Sequence, residues 1–120
     1  MTEMLSVLWI KSTRGTWLPL EAVNLSNVRT IGVYVIWHGG NPQRAVKIGQ
    51  GDIAERVSHD RSDKKILAYR SRGTLFVTWA AVPVEQMDGV ERFLGSYYKP
   101  LVLDRHPDTV PIPVNLPAAA

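Results

Sequence analysis

The chain has 120 residues, enough for one domain with a modest core, and its composition is that of a globular protein. It contains no cysteine, which excludes disulfides, thiolate metal sites and thiol nucleophiles and fits a reducing compartment. The formal net charge of +3 is mildly basic, short of a strong non-specific DNA coat. The first residues do not predict a secretory signal, and no apolar stretch of this sequence is long enough to span a bilayer. We therefore expect a cytoplasmic protein that does not engage a membrane.

Two strands are predicted in the first half of the chain. Residues 31–37 are rich in β-branched and aromatic side chains, which favours a strand. Glycines and an Asn-Pro pair mark residues 38–44 as a loop, and residues 45–49 predict a second strand, so the two should form a hairpin. Because alternate side chains share a face, Tyr34 and Lys47 should lie on the same face if both apolar sets meet one core.

The remaining elements alternate between helix and strand. Asp52 can cap a helix, and Glu55 completes a capping-box pattern three residues on. This helix is predicted to resume near residues 64–69. Residues 74–82 predict a third strand, and residues 85–98 a second helix with apolar side chains at helical spacing. The order β-β-α-β-α predicts a small single α/β domain with a central three-stranded antiparallel sheet flanked by helices.

Cations are concentrated in one short stretch of the chain, countered only by Asp60 and Asp63. A local basic patch suits a phosphate backbone. A solvated helix face with ordinary charges would have the same composition, so that alternative stays open. The cations of this basic stretch are Arg56, Arg61, Lys64, Lys65, Arg70 and Arg72.

Glu91 is the most informative carboxylate of the predicted second helix. The residues three and four positions away from it include no cation, so helical ion pairing does not account for it. At the edge of an apolar stripe a carboxylate is partly desolvated and favours a metal ion or an arginine. An exposed glutamate at the rim of the helix is the alternative. Arg56 also has a structural alternative, because Asp52 and Asp60 flank it at ion-pair spacing.

Four features in this order resemble the signature of the GIY-YIG nuclease superfamily. They are Gly32-Val33-Tyr34, Lys47-Ile48-Gly49, Arg56 and Glu91. The K-I-G sequence at Lys47 is similar to one branch of that superfamily, in which lysine replaces the second tyrosine. The resemblance implies a nuclease domain over residues 30–116, an N-terminal extension over residues 1–29 that packs on it, and a short tail over residues 117–120.

The resemblance implies an endonuclease that hydrolyses phosphodiester bonds of nucleic acid, with DNA favoured, and that uses Mg²⁺ or Mn²⁺. Tyr34 would activate the water, directly or with Lys47, Arg56 would hold the scissile phosphate, and Glu91 would bind the metal. A phenol beside an ammonium is expected to have a lowered pKa, which suits a general base. The expected nucleic-acid contacts are Arg61, Lys64, Lys65, Arg70 and Arg72.

Two positions depart from the family pattern. Lys47 stands in place of the second tyrosine of the family. Asp60 stands where many members carry a histidine, and His59, one residue before that position, is a secondary candidate for the role of that histidine. Asn115 is a secondary match to the late asparagine of the family. Two other classes therefore stay open: a nucleic-acid-binding module without catalysis, and a protein-interaction segment that docks through its proline-rich tail.

Overall fold

A four-stranded antiparallel sheet organises the chain, of which the structure, a computed structural model, describes residues 4–102 and 106–117. The strand order is β1-β4-β2-β3, so β4 and β2 are central and β3 lies at an edge. The strands are β1 Leu18–Pro19, β2 Ile31–His38, β3 Arg44–Asp52 and β4 Leu75–Ala81. The α/β class is confirmed, whereas the prediction of three strands is one strand short.

The additional strand, β1, comes from the region predicted as an N-terminal extension. Leu18 and Pro19 pair with Val77 and Phe76 along the outer side of β4. A two-residue strand has no alternating pattern to detect, and proline cannot donate to a strand ladder, so it is confined to sheet edges. The position of β1 therefore depends on the rest of the sheet.

In the part of the chain that the structure describes, three α-helices flank the sheet: α1 Ile53–Asp60, α2 Lys64–Leu67 and α3 Val84–Tyr98. As predicted, Asp52 caps α1, and its Oδ1 accepts the backbone N–H of Glu55 at 3.3 Å. The predicted resumption near residues 64–69 is α2 followed by a short 3-10 turn, Ala68–Arg72. No helix in these described ranges is long and apolar enough to cross a bilayer.

Both faces of the sheet are covered by apolar contacts. Val33 belongs to the apolar cluster that contains Leu94 of α3. Tyr34 points the other way and belongs to the cluster that contains Ile53 and Val57 of α1. The molecule therefore has three layers, with α1 and α3 on opposite faces of the sheet. Tyr34 is buried between the sheet and α1.

The register between β2 and β3 fixes the face of Lys47, just before a bulge in β3. The pairing shifts between Ile36, which is opposite Lys47, and Trp37, which is opposite Ala45, leaving one extra residue on β3. Since Tyr34 and Ile36 are two residues apart on β2, they share a face, and Lys47 lies on it too. The predicted common face of Tyr34 and Lys47 is confirmed.

The N-terminal segment is joined to the C-terminal one. Leu5 forms a parallel bridge with Val114. The amide of Asn115 accepts the backbone N–H of Val7 at 2.7 Å and donates to the carbonyl of Val7 at 2.9 Å. The indole N–H of Trp9 donates to the backbone carbonyl of Asn115 at 2.7 Å. Asn115 thus has a structural role that connects residues more than a hundred positions apart.

Candidate active site

Tyr34 and Lys47 meet at a buried carboxylate, that of Asp60. The Tyr34 hydroxyl donates to Oδ2 of Asp60 at 2.5 Å, and the Lys47 ammonium donates to Oδ1 at 3.1 Å. Asp60 and Tyr34 have no exposed surface, and Lys47 is 5% exposed. Each oxygen of the carboxylate is thus engaged by a donor, and the bond from Lys47 is charge-assisted.

The sequence pattern of α1 explains why an aspartate lies there. Ile53, Val57 and Asp60 are the buried residues of the helix and recur at the spacing of one helical face. A carboxylate on a buried face is costly unless it is paired and hydrogen-bonded. Our sequence interpretation treated Asp60 as a neighbour of Arg56 and as a departure from the family pattern, and missed it as a site residue. The signal available was a polar residue on the apolar face of α1.

The pKa of Tyr34 shifts in the direction opposite to the prediction. Burial raises it most, and the charge and hydrogen bond of the Asp60 carboxylate raise it further. The charge and hydrogen bond of Arg56 oppose this rise. The expected lowering by Lys47 is wrong because its ammonium is bonded to Asp60, whose carboxylate contacts the phenol directly.

Two glycines of β3 shape the space around the phenol. A Cβ at Gly49 would lie 2.3 Å from the Tyr34 hydroxyl oxygen, so only glycine lets the ring lie across β3 there. Gly51 has a φ of +125°, which L side chains rarely adopt, and a Cβ there would lie 3.5 Å from Cγ of Arg56. Arg56 is an exposed residue of α1. The phenol and the guanidinium therefore converge over residues 49–51 of β3.

Glu91 approaches the same end of β3 from the other layer. It lies on α3 and is 8% exposed. Gln50, which is opposite Val33 and so points to the α3 face, donates from Nε2 to Asp88 at 2.7 Å and to Glu91 at 3.4 Å. Of the four predicted residues, the structure groups Tyr34, Lys47 and Arg56 on the α1 face. Glu91 belongs to α3, which packs on the other face of the sheet, and it reaches the edge strand β3 at Gln50.

The chemistry of the donors beside Glu91 suits a hard divalent cation. The described residues contain no group of three His, Cys, Asp or Glu side chains that could hold a metal. The carboxylates of Asp88 and Glu91 are nevertheless joined by Gln50, whose Oε1 is buried and has no hydrogen-bond partner among the described residues. Mg²⁺ and Mn²⁺ prefer oxygen ligands, and Mg²⁺ commonly uses one or two carboxylates and completes its shell with water and phosphate. The residues present therefore fit such an ion.

Of the two secondary candidates, His59 lies at the margin of this arrangement and Asn115 lies outside it. The His59 side chain is 72% exposed, and its Nδ1 is 3.5 Å from Oδ1 of Asp60, at the limit of a hydrogen bond. The amide of Asn115 is engaged at both ends by the backbone of Val7. His59 is thus open to solvent beside Asp60, whereas Asn115 joins the N-terminal segment to the C-terminal one.

The predicted nucleic-acid contacts divide into two groups. Arg61 donates to the backbone carbonyl of Val23 at 2.9 Å, and Arg70 donates to Glu21 at 3.1 Å, so these two already have protein partners. Lys64 and Lys65 are exposed at the start of α2. Arg72 is also exposed and lies over the Tyr69 ring at 5.7 Å. Of the predicted contacts, Lys64, Lys65 and Arg72 are therefore the ones most accessible to a phosphate from solvent.

Comparison with protein-family models, curated proteins and solved structures found no match to this chain. The class of protein must therefore be argued from the fold and the site. These consist of a three-layer α/β domain with a buried tyrosine, aspartate and lysine on one side of an edge strand and two carboxylates on the other.

Proposed function

We propose that this chain is a metal-dependent endonuclease of the GIY-YIG type, which hydrolyses phosphodiester bonds with DNA as the favoured substrate. The observation that carries the proposal is the bonding of Tyr34 and Lys47 to one buried carboxylate, with Arg56 at the same phenol. These are the groups that hydrolysis requires: a path for the proton of water, and positive charge for the phosphate.

Tyr34 works in this proposal as a proton relay. Because its pKa is raised, the phenol is neutral near pH 7 and cannot act as a preformed phenolate. Instead, the phenol oxygen accepts a proton from water while its own proton passes along the hydrogen bond to Oδ2 of Asp60. The water oxygen then bonds to phosphorus as the bond to the leaving oxygen breaks. Asp60 is the final proton acceptor and later returns the proton to solvent.

Lys47 balances the charge of this transfer. Before the reaction, its ammonium is paired with the Asp60 carboxylate at 3.1 Å. Once Asp60 is protonated, its attraction to the lysine charge weakens, and that charge stabilises the negative charge that develops on the phosphate. A lysine in place of the second tyrosine is therefore compatible with catalysis, because it serves the carboxylate and not the water.

Arg56 has two tasks in the proposed reaction. Its hydrogen bond to the phenol places a guanidinium at a tyrosine that has no exposed surface. Transfer of the guanidinium to the scissile phosphate, for which its planar fork is well shaped, opens the phenol oxygen to water. Substrate binding and access of water to Tyr34 are then coupled.

Glu91 and Asp88, with Oε1 of Gln50, are the groups that would hold Mg²⁺ or Mn²⁺. When bound, such an ion polarises the phosphate and stabilises the leaving oxygen. Gln50 orients both carboxylates through its Nε2, and its place on β3 puts them beside Gly49 and Gly51. A phosphate at this edge of the sheet could be contacted by the α1 residues from one side and by the α3 carboxylates from the other.

A second candidate function is nucleic-acid binding without cleavage. The complete burial of Tyr34 favours it, because the Tyr34, Asp60 and Lys47 group would then be only a polar link between α1 and the sheet. The two candidates make different demands on the phenolic oxygen. The relay requires it for turnover, whereas binding through the exposed lysines and arginines does not.

Cleavage and binding measured side by side test the proposal. Plasmid and single-stranded DNA are incubated with the chain and Mg²⁺ or Mn²⁺, and binding is measured in EDTA. We expect cleavage by the wild type and about a hundredfold loss in Tyr34→Phe, the scale of acid–base catalysis. The matched control is Tyr97→Phe, since Tyr97 is 59% exposed. Binding without cleavage by the wild type would replace the nuclease with the binding module, and absence of both would refute both.

A further inference from the structure

A second polar site lies at the opposite end of the β2–β3 hairpin. His38 is the last residue of β2 and pairs with Arg44, the first residue of β3. Together with Asn41, Pro42 and Arg72 they line a cleft of about 300 Å³. None of these lining residues is acidic, and two are arginines, so the cleft carries positive charge.

The ring of His38 presents a donor that has no acceptor among the described residues. The residue is 3% exposed, and its Nδ1 accepts the backbone N–H of Gly40 at 3.2 Å. Burial lowers the pKa of His38, as do the charges of Arg72 and Arg44, so its ring is neutral near pH 7. A neutral imidazole has one donor and one acceptor nitrogen, so Nε2 carries the proton. Nε2 is buried and has no partner among the described residues, and such a donor calls for an acceptor from solvent or a ligand.

The two arginines retain donors for a ligand. One Nη of Arg44 donates to the carbonyl of Lys99 at 3.2 Å, which anchors the side chain. The other N–H groups of its guanidinium make no hydrogen bond to the side chains or backbone that the structure describes. Arg72 lies over the Tyr69 ring at 5.7 Å, a contact that leaves the edge of the guanidinium open to hydrogen bonds. A tetrahedral oxyanion is the ligand that matches several converging donors and two positive charges.

We propose that the cleft formed by His38, Arg44 and Arg72 is a phosphate-binding site, separate from the candidate active site. His38 and Tyr34 are four residues apart on one face of β2, which corresponds to about 13 Å along a strand. That separation is about four base-pair steps of a DNA backbone. A backbone phosphate of bound DNA is therefore the favoured source. This choice of source rests on the proposed nuclease function, whereas the phosphate site itself does not.

The test is a titration followed at the His38 ring by ¹H–¹⁵N NMR, with EDTA present so that no cleavage occurs. The probes are inorganic phosphate and a short DNA duplex. Each is expected to shift the Nε2–H resonance, and Arg72→Gln should weaken phosphate affinity by about tenfold, the usual effect of losing one charged hydrogen bond. Arg14→Gln is the matched control, since Arg14 is an exposed arginine of the turn at residues 12–16. Thermal melts of both variants check folding.

The possible outcomes are distinct. A response to phosphate and duplex, weakened only in Arg72→Gln, supports the site and its DNA source. A response to phosphate alone supports the site and assigns it to a small anion. No response to either probe overturns the proposal, and the acceptor for the Nε2–H group of His38 is then water. Because no cleavage is measured, failure of the nuclease proposal would not alter any of these results.

Discussion

Tyr34 donates its phenolic hydrogen to Asp60 across 2.5 Å, and this bond determines how the tyrosine can take part in chemistry. A phenol that donates to a buried carboxylate has a raised pKa and is not a ready base. The same bond gives the phenol an acceptor for its proton, and Lys47 holds that acceptor in place at 3.1 Å. In the proposed mechanism Asp60 is therefore the group that accepts the proton.

Asp60→Asn should abolish the proton acceptor and destabilise the fold. The asparagine side chain can still accept the hydrogen bond from Tyr34, but the buried ion pair between Asp60 and Lys47 is lost. Breaking a buried ion pair costs about 3 kcal/mol. We expect about a hundredfold loss of cleavage. The fold effect is read from urea unfolding. Asp63→Asn is the control, because asparagine retains the N-cap bond that Asp63 makes to the backbone of Lys65. Equal cleavage by the Asp60 variant and the wild type would exclude the relay.

Gly49→Ala should disturb the phenol directly. The added Cβ would lie 2.3 Å from the hydroxyl oxygen of Tyr34, so the ring or β3 must shift. Overpacking of this kind costs about 1–3 kcal/mol. Gly15→Ala is a useful comparison, because Gly15 has a φ of +77° but an added Cβ would have no atom within 4 Å. Its effect on stability therefore measures backbone strain without a steric clash. If chemical denaturation shows Gly49→Ala to be as stable as the wild type, the described placement of the phenol is wrong.

The stability of the fold should fall at alkaline pH because of Tyr34. Its pKa is raised in the folded state, so between about pH 10 and that raised value the unfolded chain loses the phenolic proton while the folded chain keeps it. The free energy of unfolding is thus highest below about pH 10 and declines above it. Tyr34→Phe should flatten this decline, while Tyr97→Phe should leave it unchanged. Urea unfolding from pH 7 to pH 11 measures the slopes, and identical slopes for all three chains would contradict the assignment.

Glu91→Gln should remove metal-dependent cleavage while the fold is retained. Glutamine keeps the shape and hydrogen-bonding reach of Glu91 but lacks the charge that Mg²⁺ and Mn²⁺ prefer. Calorimetric titration with Mn²⁺ should show weaker binding, and Asp88→Asn should show an intermediate loss, because Asp88 shares the Gln50 amide. Glu85→Gln, an exposed acidic residue in the first turn of α3, is the control. Wild-type cleavage and Mn²⁺ affinity in Glu91→Gln would refute Glu91 as the ligand.

Lys64 and Lys65 should contribute to the salt dependence of nucleic-acid binding. Both are exposed at the start of α2. Their joint replacement by alanine should weaken binding and reduce the slope of log K against log salt by about 1.8 for two phosphate contacts. Arg14→Ala serves as a control for the loss of an exposed cation elsewhere. An unchanged slope would show that these lysines make no phosphate contacts.

Local patterns in the sequence determined most of the secondary structure and part of the site. The β-branched run at residues 31–37, the cap at Asp52 and the apolar spacing of α3 are short-range features, and the structure has an element at each. Strand alternation also placed Tyr34 and Lys47 on one face. These inferences succeed because they depend on residues that are neighbours along the chain.

Only the tertiary structure decided which groups complete the site. Asp60 meets Lys47 through the packing of α1 on the sheet, and Glu91 is placed in the opposite layer because α3 packs there. The direction of the Tyr34 pKa shift followed from burial and from Asp60, neither of which the strand pattern contains. Strand β1 likewise exists only because β4 offers it an edge. Sequence spacing specifies the face on which a side chain lies, whereas its partner and its exposure to water depend on contacts between segments far apart in the chain.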